Sequence, residues 1–364
     1  MNIDGALQGK DNNLNLIRMI AASAVLFSHS YALVSGLRDL EPLKQVIGLA
    51  AGHIAVDIFF VVSGFLVTRS LVFRKDLVEF CVSRFLRIYP ALWVAVFLCV
   101  LMGLAVTELS VASYLADSAT LQFLFYNSTI ILTDYQELGG VFANQPFDNS
   151  VNGSLWTLPW ELRMYAVLFF LGIAGLVLRL RGKGFEIFVK GAVVIIAFIA
   201  MCGHFYLKFI TGEDSGFYWK LSRFLFLFFY GGAFFVFARF IPLKGWLFVC
   251  GVLLLIAFVK TQFYVFYTLV LPYLIFYLAF YKSEFALRYN KLGDYSYGMY
   301  IYAWPVQQLL VYLWPDVGIY QHMMFSFFVS LVFAYFSWIL VESPSIALKK
   351  SVFRRLERMK LQRS

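Results

Sequence analysis

The feature that most constrains this chain is the recurrence of apolar runs of about 18 residues or more, each long enough to cross the ~30 Å hydrocarbon core of a bilayer as a helix. They lie near residues 14–34, 53–73, 84–106, 156–178, 187–208, 219–238, 243–260, 262–281, 293–314 and 321–342. Backbone in lipid must satisfy its own hydrogen bonds, so such runs become helices. The sequence therefore predicts an all-α, polytopic membrane protein with about ten transmembrane helices. Composition agrees: 61% of the residues are hydrophobic and only 14% charged, well outside the range of soluble domains. The first run lacks a small-residue cleavage site and carries an internal charge, so it reads as a span and not as a cleaved signal peptide.

The basic residues set the expected orientation. One set of connections holds Arg74 and Lys75, Arg179 with Arg181 and Lys183, Arg239 with Lys244, Lys282 with Arg288 and Lys291, and the tail from Lys349 to Arg363. The alternate set is poorer in Lys and Arg. Its longest member, 107–155, has none, yet holds Glu108, Asp117, Asp134, Glu137 and Asp148. The positive-inside rule then places both termini in the cytoplasm and 107–155 outside. Aromatic residues in that outer segment, among them Tyr114, Phe123, Phe142 and Phe147, imply that it packs back onto the membrane domain. The net charge of +9 is a topology signal that meets anionic lipid, and no nucleic-acid partner is expected. The expected organisation is one transmembrane domain, 1–342, followed by a basic cytoplasmic tail, 343–364. The four cysteines show no CxxC pair and no metal-ligand spacing, so no metal is expected and they read as packing residues.

Charged groups inside the spans are costly in lipid and point to function. Arg18 and His29 have ten residues between them. Eleven steps of an α-helix make three turns plus about 20° and rise roughly 16 Å, so both share one face. Arg18 lies near the cytoplasmic surface, either as a snorkelling interfacial residue or as a ligand-binding one. His29 lies deep, either as a satisfied core histidine or as a base facing a polar cavity. The second span opens GHIAVDIFFVVSGFLV, with His53 and Asp57 one turn apart. Asp57 is either a helix-start residue near the headgroups or a carboxylate able to hold one imidazole nitrogen and leave the other free to act as a base. Ser63 and Gly64 in the same span predict close helix packing.

In SRFLRIYPALW, Arg84 and Arg87 share one face at the cytoplasmic start of the third span. Two guanidinium groups together suit phosphate oxygens, although topology alone also explains arginines there. In NGSLWTLPWELRMY, Trp156 and Trp160 suit an outer aromatic belt. Glu161 is either an interfacial charge or an acid, base or sugar-hydroxyl acceptor. The ninth span, LGDYSYGMYIYAWPVQQLLVY, is expected to break at Gly298 and Pro305, with Tyr297, Tyr300, Gln307 and Gln308 as a polar lining. Glu342, at the inner end of the tenth span, is expected to pair with arginine.

Taken in order, these motifs resemble the acyltransferase-3 family of integral membrane O-acyltransferases. The resemblance rests on Arg18 and His29, VDIFFVVSGFLV, SRFLRIYP, SLWTLPWEL, LGDYSYGMYIY and VESP, spanning residues 12 to about 350. It implies a protein of the bacterial cytoplasmic (inner) membrane that moves an acyl group, usually acetyl, from cytoplasmic acetyl-CoA to a hydroxyl of a cell-surface or lipid-linked polysaccharide such as O-antigen. Arg18, Arg84 and Arg87 match the family's donor residues, and His29 matches its essential histidine. Candidate catalytic residues are thus His29, Asp57 and Glu161. A histidine common before the Trp-Pro pair is Ala303 here, and a basic residue common before the last proline is Ser343. No fused SGNH-type esterase domain is expected after the tenth span, so either the membrane domain completes the reaction or acyl groups pass to a separate periplasmic transferase. A transporter is the rival from another class, because broken helices and buried charges also mark that kind of fold.

Overall fold

The computed structural model describes residues 1–9 and 11–349. Each of the ten apolar runs forms a helix: α1 (Leu14–Ser35), α2 (Ala51–Arg74), α3 (Leu77–Val106), α4 (Leu158–Val177), α5 (Lys183–Tyr206), α6 (Gly216–Val236), α7 (Gly245–Ala257), α8 (Phe263–Phe280), α9 (Ser296–Leu313) and α10 (Ile319–Ser337). Eight described helical stretches are long and apolar enough to cross a membrane. The other two are α7, which has only 13 residues, and α9, whose tyrosines and glutamines lower its mean hydropathy. Among the described residues the one β feature is an isolated bridge between Asn2 and Pro242. The fold is all-α and polytopic, as expected. Of the expected tail 343–364, residues 350–364 lie outside the described residues.

The chain divides into two compact units. The first comprises Met1–Ala21, Pro42–Leu77 and Trp160–Gly293; the second comprises Ala22–Glu41, Val78–Pro159 and the described residues from Asp294 onward. In the first unit α2 and α6 touch backbone to backbone. A Cβ on Gly64 would lie 1.8 Å from the Phe228 carbonyl oxygen, and one on Gly231 would lie 2.0 Å from that of Val61. Only glycine permits this approach, which fulfils the packing expected of the Ser63–Gly64 pair. Phe60 and Phe224 stack beside it with ring centroids 4.1 Å apart. The start of α1 is tied down by Asn13, whose Nδ2 donates to the carbonyls of Leu278 (2.8 Å) and Tyr281 (2.6 Å).

In the second unit α9 packs along α10, and Gly298 makes room for it: a Cβ there would lie 2.8 Å from Ala334 Cα. The expected break at Gly298 and Pro305 does not occur. Proline has no N–H, which frees the carbonyl four residues earlier. That carbonyl, on Ile301, accepts a 2.9 Å hydrogen bond from Asn152 Nδ2, so the helix continues. Segment 107–155 forms two short helices, Val111–Ala116 and Ser118–Thr129, followed by irregular chain. It lies against the helices of its own unit. Tyr114 Oη donates to Val100 O (3.0 Å), Trp93 Nε1 to Ser128 O (2.9 Å) and Trp304 Nε1 to Ser150 O (3.0 Å). Side-chain donors thereby tie the segment to its helices in both directions, the two tryptophans onto loop carbonyls and Tyr114 onto a carbonyl of α3.

Candidate functional site

In the first unit the functional candidates form two clusters. Asp57 is fully buried and is therefore not a headgroup residue. Arg223 donates to its Oδ1 from Nε (2.9 Å) and from a terminal nitrogen (2.5 Å). Tyr267 donates to Oδ2 at 2.9 Å. His53, one helical turn away, brings Nε2 to 3.7 Å from the same oxygen. A carboxylate in apolar surroundings persists only when paired and hydrogen-bonded in this way. Both oxygens are committed within the unit, and the imidazole beside Asp57 there is that of His53.

Glu161 opens α4 in the second cluster. Tyr165, one turn on, donates to its Oε1, and Ser63 of α2 approaches the same oxygen at 3.2 Å and the Tyr165 hydroxyl at 2.9 Å. Glu161 is thus a hydrogen-bonded carboxylate with two hydroxyls on one oxygen. Trp160 is buried, packing on Phe217 and Phe224, and so does not belong to an outer aromatic belt. Arg163 lies over its ring at 4.3 Å. Arg18, also of this unit, lies 6.0 Å from the Phe59 ring centroid.

The second unit holds His29, Arg84 and Arg87. α1 runs unbroken from Leu14 to Ser35, as the shared-face spacing of Arg18 and His29 requires. The His29 ring meets Trp304 edge-on at 4.6 Å. Its Nδ1 is buried without a hydrogen-bond partner among the described residues. Trp304 is itself fixed by its bond to Ser150 and by Gly153, where a Cβ would lie 2.6 Å from the indole. The sequence NGSLW therefore shapes the wall beside His29. Next along the helix, Ser28 donates to the buried Glu41 at 2.6 Å.

Arg84 and Arg87 lie one turn apart on α3. Arg87 is held by two carboxylates, Asp294 at 2.6 Å and Glu342 at 3.2 Å. These are anchored in turn, Asp294 by Ser296 at 2.5 Å and Glu342 by Ser337 at 3.0 Å. The expected pairing of Glu342 with arginine is present. The polar residues of α9 are bound rather than exposed to a cavity. Tyr297 donates to Ile88 O (3.0 Å), Tyr300 meets Thr157 (2.7 Å), Gln307 donates to Leu26 O and Ser30 Oγ (both 2.8 Å), and Gln308 donates to Ser150 O (2.8 Å). The described residues contain no group of three or more His, Cys, Asp or Glu side chains able to hold a metal.

This ordered set of charged side chains lies within a stretch, residues 11–342, that matches the acyltransferase-3 family, described as an acyltransferase domain. The chain belongs to that family. It is 28% identical over 348 residues, covering 92% of this chain and 95% of the relative, to the O-acetyl transferase of Shigella phage Sf6. It is 37% identical over 171 residues, 44% of each chain, to nodulation protein 10 of Rhizobium leguminosarum bv. viciae. No solved structure matches it. The resemblance read from the motifs is therefore a family membership, and the protein is a multi-pass membrane acyltransferase.

Several residues of this acyltransferase escaped sequence reading. Arg223 sits near the start of the sixth apolar run, where an ionisable residue is itself a signal. Its partner Asp57 is 166 positions away and not deducible from spacing. Asp294 was visible in the LGDYSYG motif, but its role as an arginine ligand depends on where α3 lies. Tyr165 follows Glu161 by four residues, a helical neighbour whose contact the period alone predicts.

Proposed function

We propose that this acyltransferase transfers acetyl from cytoplasmic acetyl-CoA to a hydroxyl of a lipid-linked or cell-surface polysaccharide, O-antigen being the leading acceptor, in the bacterial inner membrane. Both termini lie in the cytoplasm and 107–155 faces outward. The phage relative's name supports the acyl group, and the run of basic inner connections supports the orientation. The observation that carries the chemistry is His29: a deep imidazole with one buried nitrogen left unbonded, set against a fixed indole.

His29 acts as general base on the acceptor hydroxyl. A neutral imidazole with a nitrogen lone pair left unbonded can take that proton. The alkoxide developing on the sugar attacks the acetyl carbonyl, and the thiolate of CoA leaves. Arg84 is the primary ligand of the donor's phosphates. Arg87 adds a second positive edge, although a phosphate must share it with Asp294 and Glu342. Arg18 is assigned to the donor by family position. Glu161 accepts a hydrogen bond from an acceptor hydroxyl.

The test is acetyl transfer by purified protein in liposomes, with labelled acetyl-CoA and isolated lipid-linked glycan. Label appearing on the glycan is the expected result. Acetyl-CoA consumption without glycan labelling would point to a relay. Solute or glycan flux with no acetyl-CoA consumption would replace the enzyme with a transporter.

A further inference from the structure

A cleft of about 270 Å³ lies in the second unit, lined by residues of 106–146 and by the last turn of α9 with the chain just after it. Its walls include Glu108, Phe142, Asn144, Gln145, Tyr312 and Pro315. None of the residues that line it is basic, and none of 107–155 is either. An anionic ligand such as a phosphate would find no counter-charge there. The apolar wall is aromatic: Phe142 and Tyr312 have ring centroids 5.8 Å apart at an interplanar angle of 54°. The polar groups on it are a carboxylate, two amides and a phenol.

The carboxylate, the Asn144 amide and the phenol are unspent. The side chains of Glu108, Asn144 and Tyr312 make no hydrogen bond or ion pair with any described residue, whereas the loop that carries them is held. Glu108 N donates to Gly140 O at 3.0 Å, Gln145 N to Phe142 O at 3.3 Å, and Gln145 Nε2 to Gln308 O at 3.3 Å. Phe142 is buried and adopts a positive φ of 57°. That conformation is strained for a bulky residue and persists only where its surroundings impose it. The loop is thus fixed while the donors and acceptors on it stay available.

We propose that this cleft is the acceptor subsite, binding one neutral sugar ring of the glycan; the proposal rests on the glycan acceptor and outward-facing loop given under Proposed function. A pyranose has an apolar C–H face and an edge of hydroxyls. The exposed Tyr312 ring receives the face, as aromatic side chains with a polar tip do. Glu108 accepts from hydroxyls, and the Asn144 amide both donates and accepts. The volume is just below the ~300–1,000 Å³ range of sites that enclose drug-sized ligands, which suits a single ring of a longer chain.

Full-length protein in detergent micelles is probed by saturation-transfer NMR with the methyl glycosides of glucose, rhamnose and N-acetylglucosamine. At least one should show saturation by wild type, reduced severalfold by Tyr312→Ala and by Glu108→Gln but kept by Tyr312→Trp. In the liposome assay Tyr312→Ala should raise the acceptor KM about tenfold, the loss of one stacked ring and its hydroxyl contact. Turnover number and acetyl-CoA affinity should hold, and an unchanged melting temperature excludes misfolding. Glycoside signals that survive both substitutions, or none from wild type, overturn the subsite. Transfer with an unchanged acceptor KM in Tyr312→Ala overturns it while leaving the reaction intact. Tyr312-dependent glycoside binding without any acetyl transfer would overturn the reaction and keep the subsite.

Discussion

The environments of Asp57 in the first unit and of His29 in the second differ in how completely they use their polar atoms. Asp57 receives three donated hydrogen bonds from Arg223 and Tyr267, with His53 near the same carboxylate. The buried His204 of that unit is likewise saturated, with Nδ1 3.0 Å from Ser222 and Nε2 2.6 Å from Tyr264. His29 instead packs edge-on against Trp304 and keeps a buried nitrogen unbonded. Buried polar groups in native folds are almost always bonded, so an exception asks for a reason. A carboxylate bonded through both oxygens holds helices together; a bare imidazole nitrogen, which His29 shares with His53 Nε2 and His322 Nδ1, is available to a ligand that reaches it.

The first way to break this comparison is His29→Ala. General-base catalysis contributes roughly 10² to 10⁴ in rate, so acetyl transfer should fall by that factor. Acetyl-CoA binding and the melting temperature should stay close to wild type. His204→Ala should do the reverse, lowering the melting temperature while leaving transfer per folded molecule nearly intact. If both variants lose stability and neither loses specific transfer, the two histidines are structurally equivalent and the distinction fails.

Arg223→Ala should have the next largest effect. It strands the Asp57 carboxylate in a fully buried setting, and breaking such a pair costs roughly 3–5 kcal/mol. Thermal unfolding in detergent should report that loss. Asp57→Asn combined with Arg223→Gln removes both charges and should recover part of it. Equal destabilisation in the single and double variants would show that the pair holds nothing together electrostatically.

Most of the fold was legible because lipid leaves a long apolar run one option, and each of the ten runs became a helix. Two readings needed three-dimensional information. α9 was expected to break at Pro305, but Asn152, more than a hundred residues earlier, supplies the donor that Ile301 O would otherwise lack. Arg223 lay in plain sight within a span, yet only the crossing of α2 and α6 at Gly64 and Gly231 brings it to Asp57. The pairing of Glu342 with an arginine was readable from topology, because both lie near expected inner ends. Sequence also supplied His29, but not its bare nitrogen, which depends on Gly153 making room for Trp304.

Within the second unit two neighbouring arginines can be tested in the same way. Arg87 is ion-paired to Asp294 and Glu342, and Arg84 shares its face of α3. Arg87→Ala removes a counter-charge from Asp294 and Glu342 and should cost roughly 1–3 kcal/mol of stability, along with some donor affinity. Arg84→Ala should weaken acetyl-CoA binding about tenfold by calorimetry, the loss of one charge-assisted contact. Arg84→Lys should recover only part, since a point charge lacks the planar fork. Donor affinity unchanged in the double alanine variant would remove both from the donor site.

The smallest effect belongs to the Glu161 cluster, whose saturation is only partial. One carboxylate oxygen takes both the Tyr165 and Ser63 hydroxyls, while no hydrogen bond is found on the other among the described residues. Tyr165→Phe removes one donor and leaves Ser63 in place, a change worth about 0.5–1.5 kcal/mol. If Glu161 receives an acceptor hydroxyl on its second oxygen, the variant should misplace it and raise the acceptor KM severalfold, with donor affinity and melting temperature hardly moved. If the cluster only ties α2 to α4, the melting temperature should fall and the acceptor KM should not. Glu161→Gln separates the two further, because it keeps the size of the side chain and its ability to accept a hydrogen bond but removes the charge. A normal acceptor KM in both variants would place Glu161 with Asp57 among the saturated, structural carboxylates.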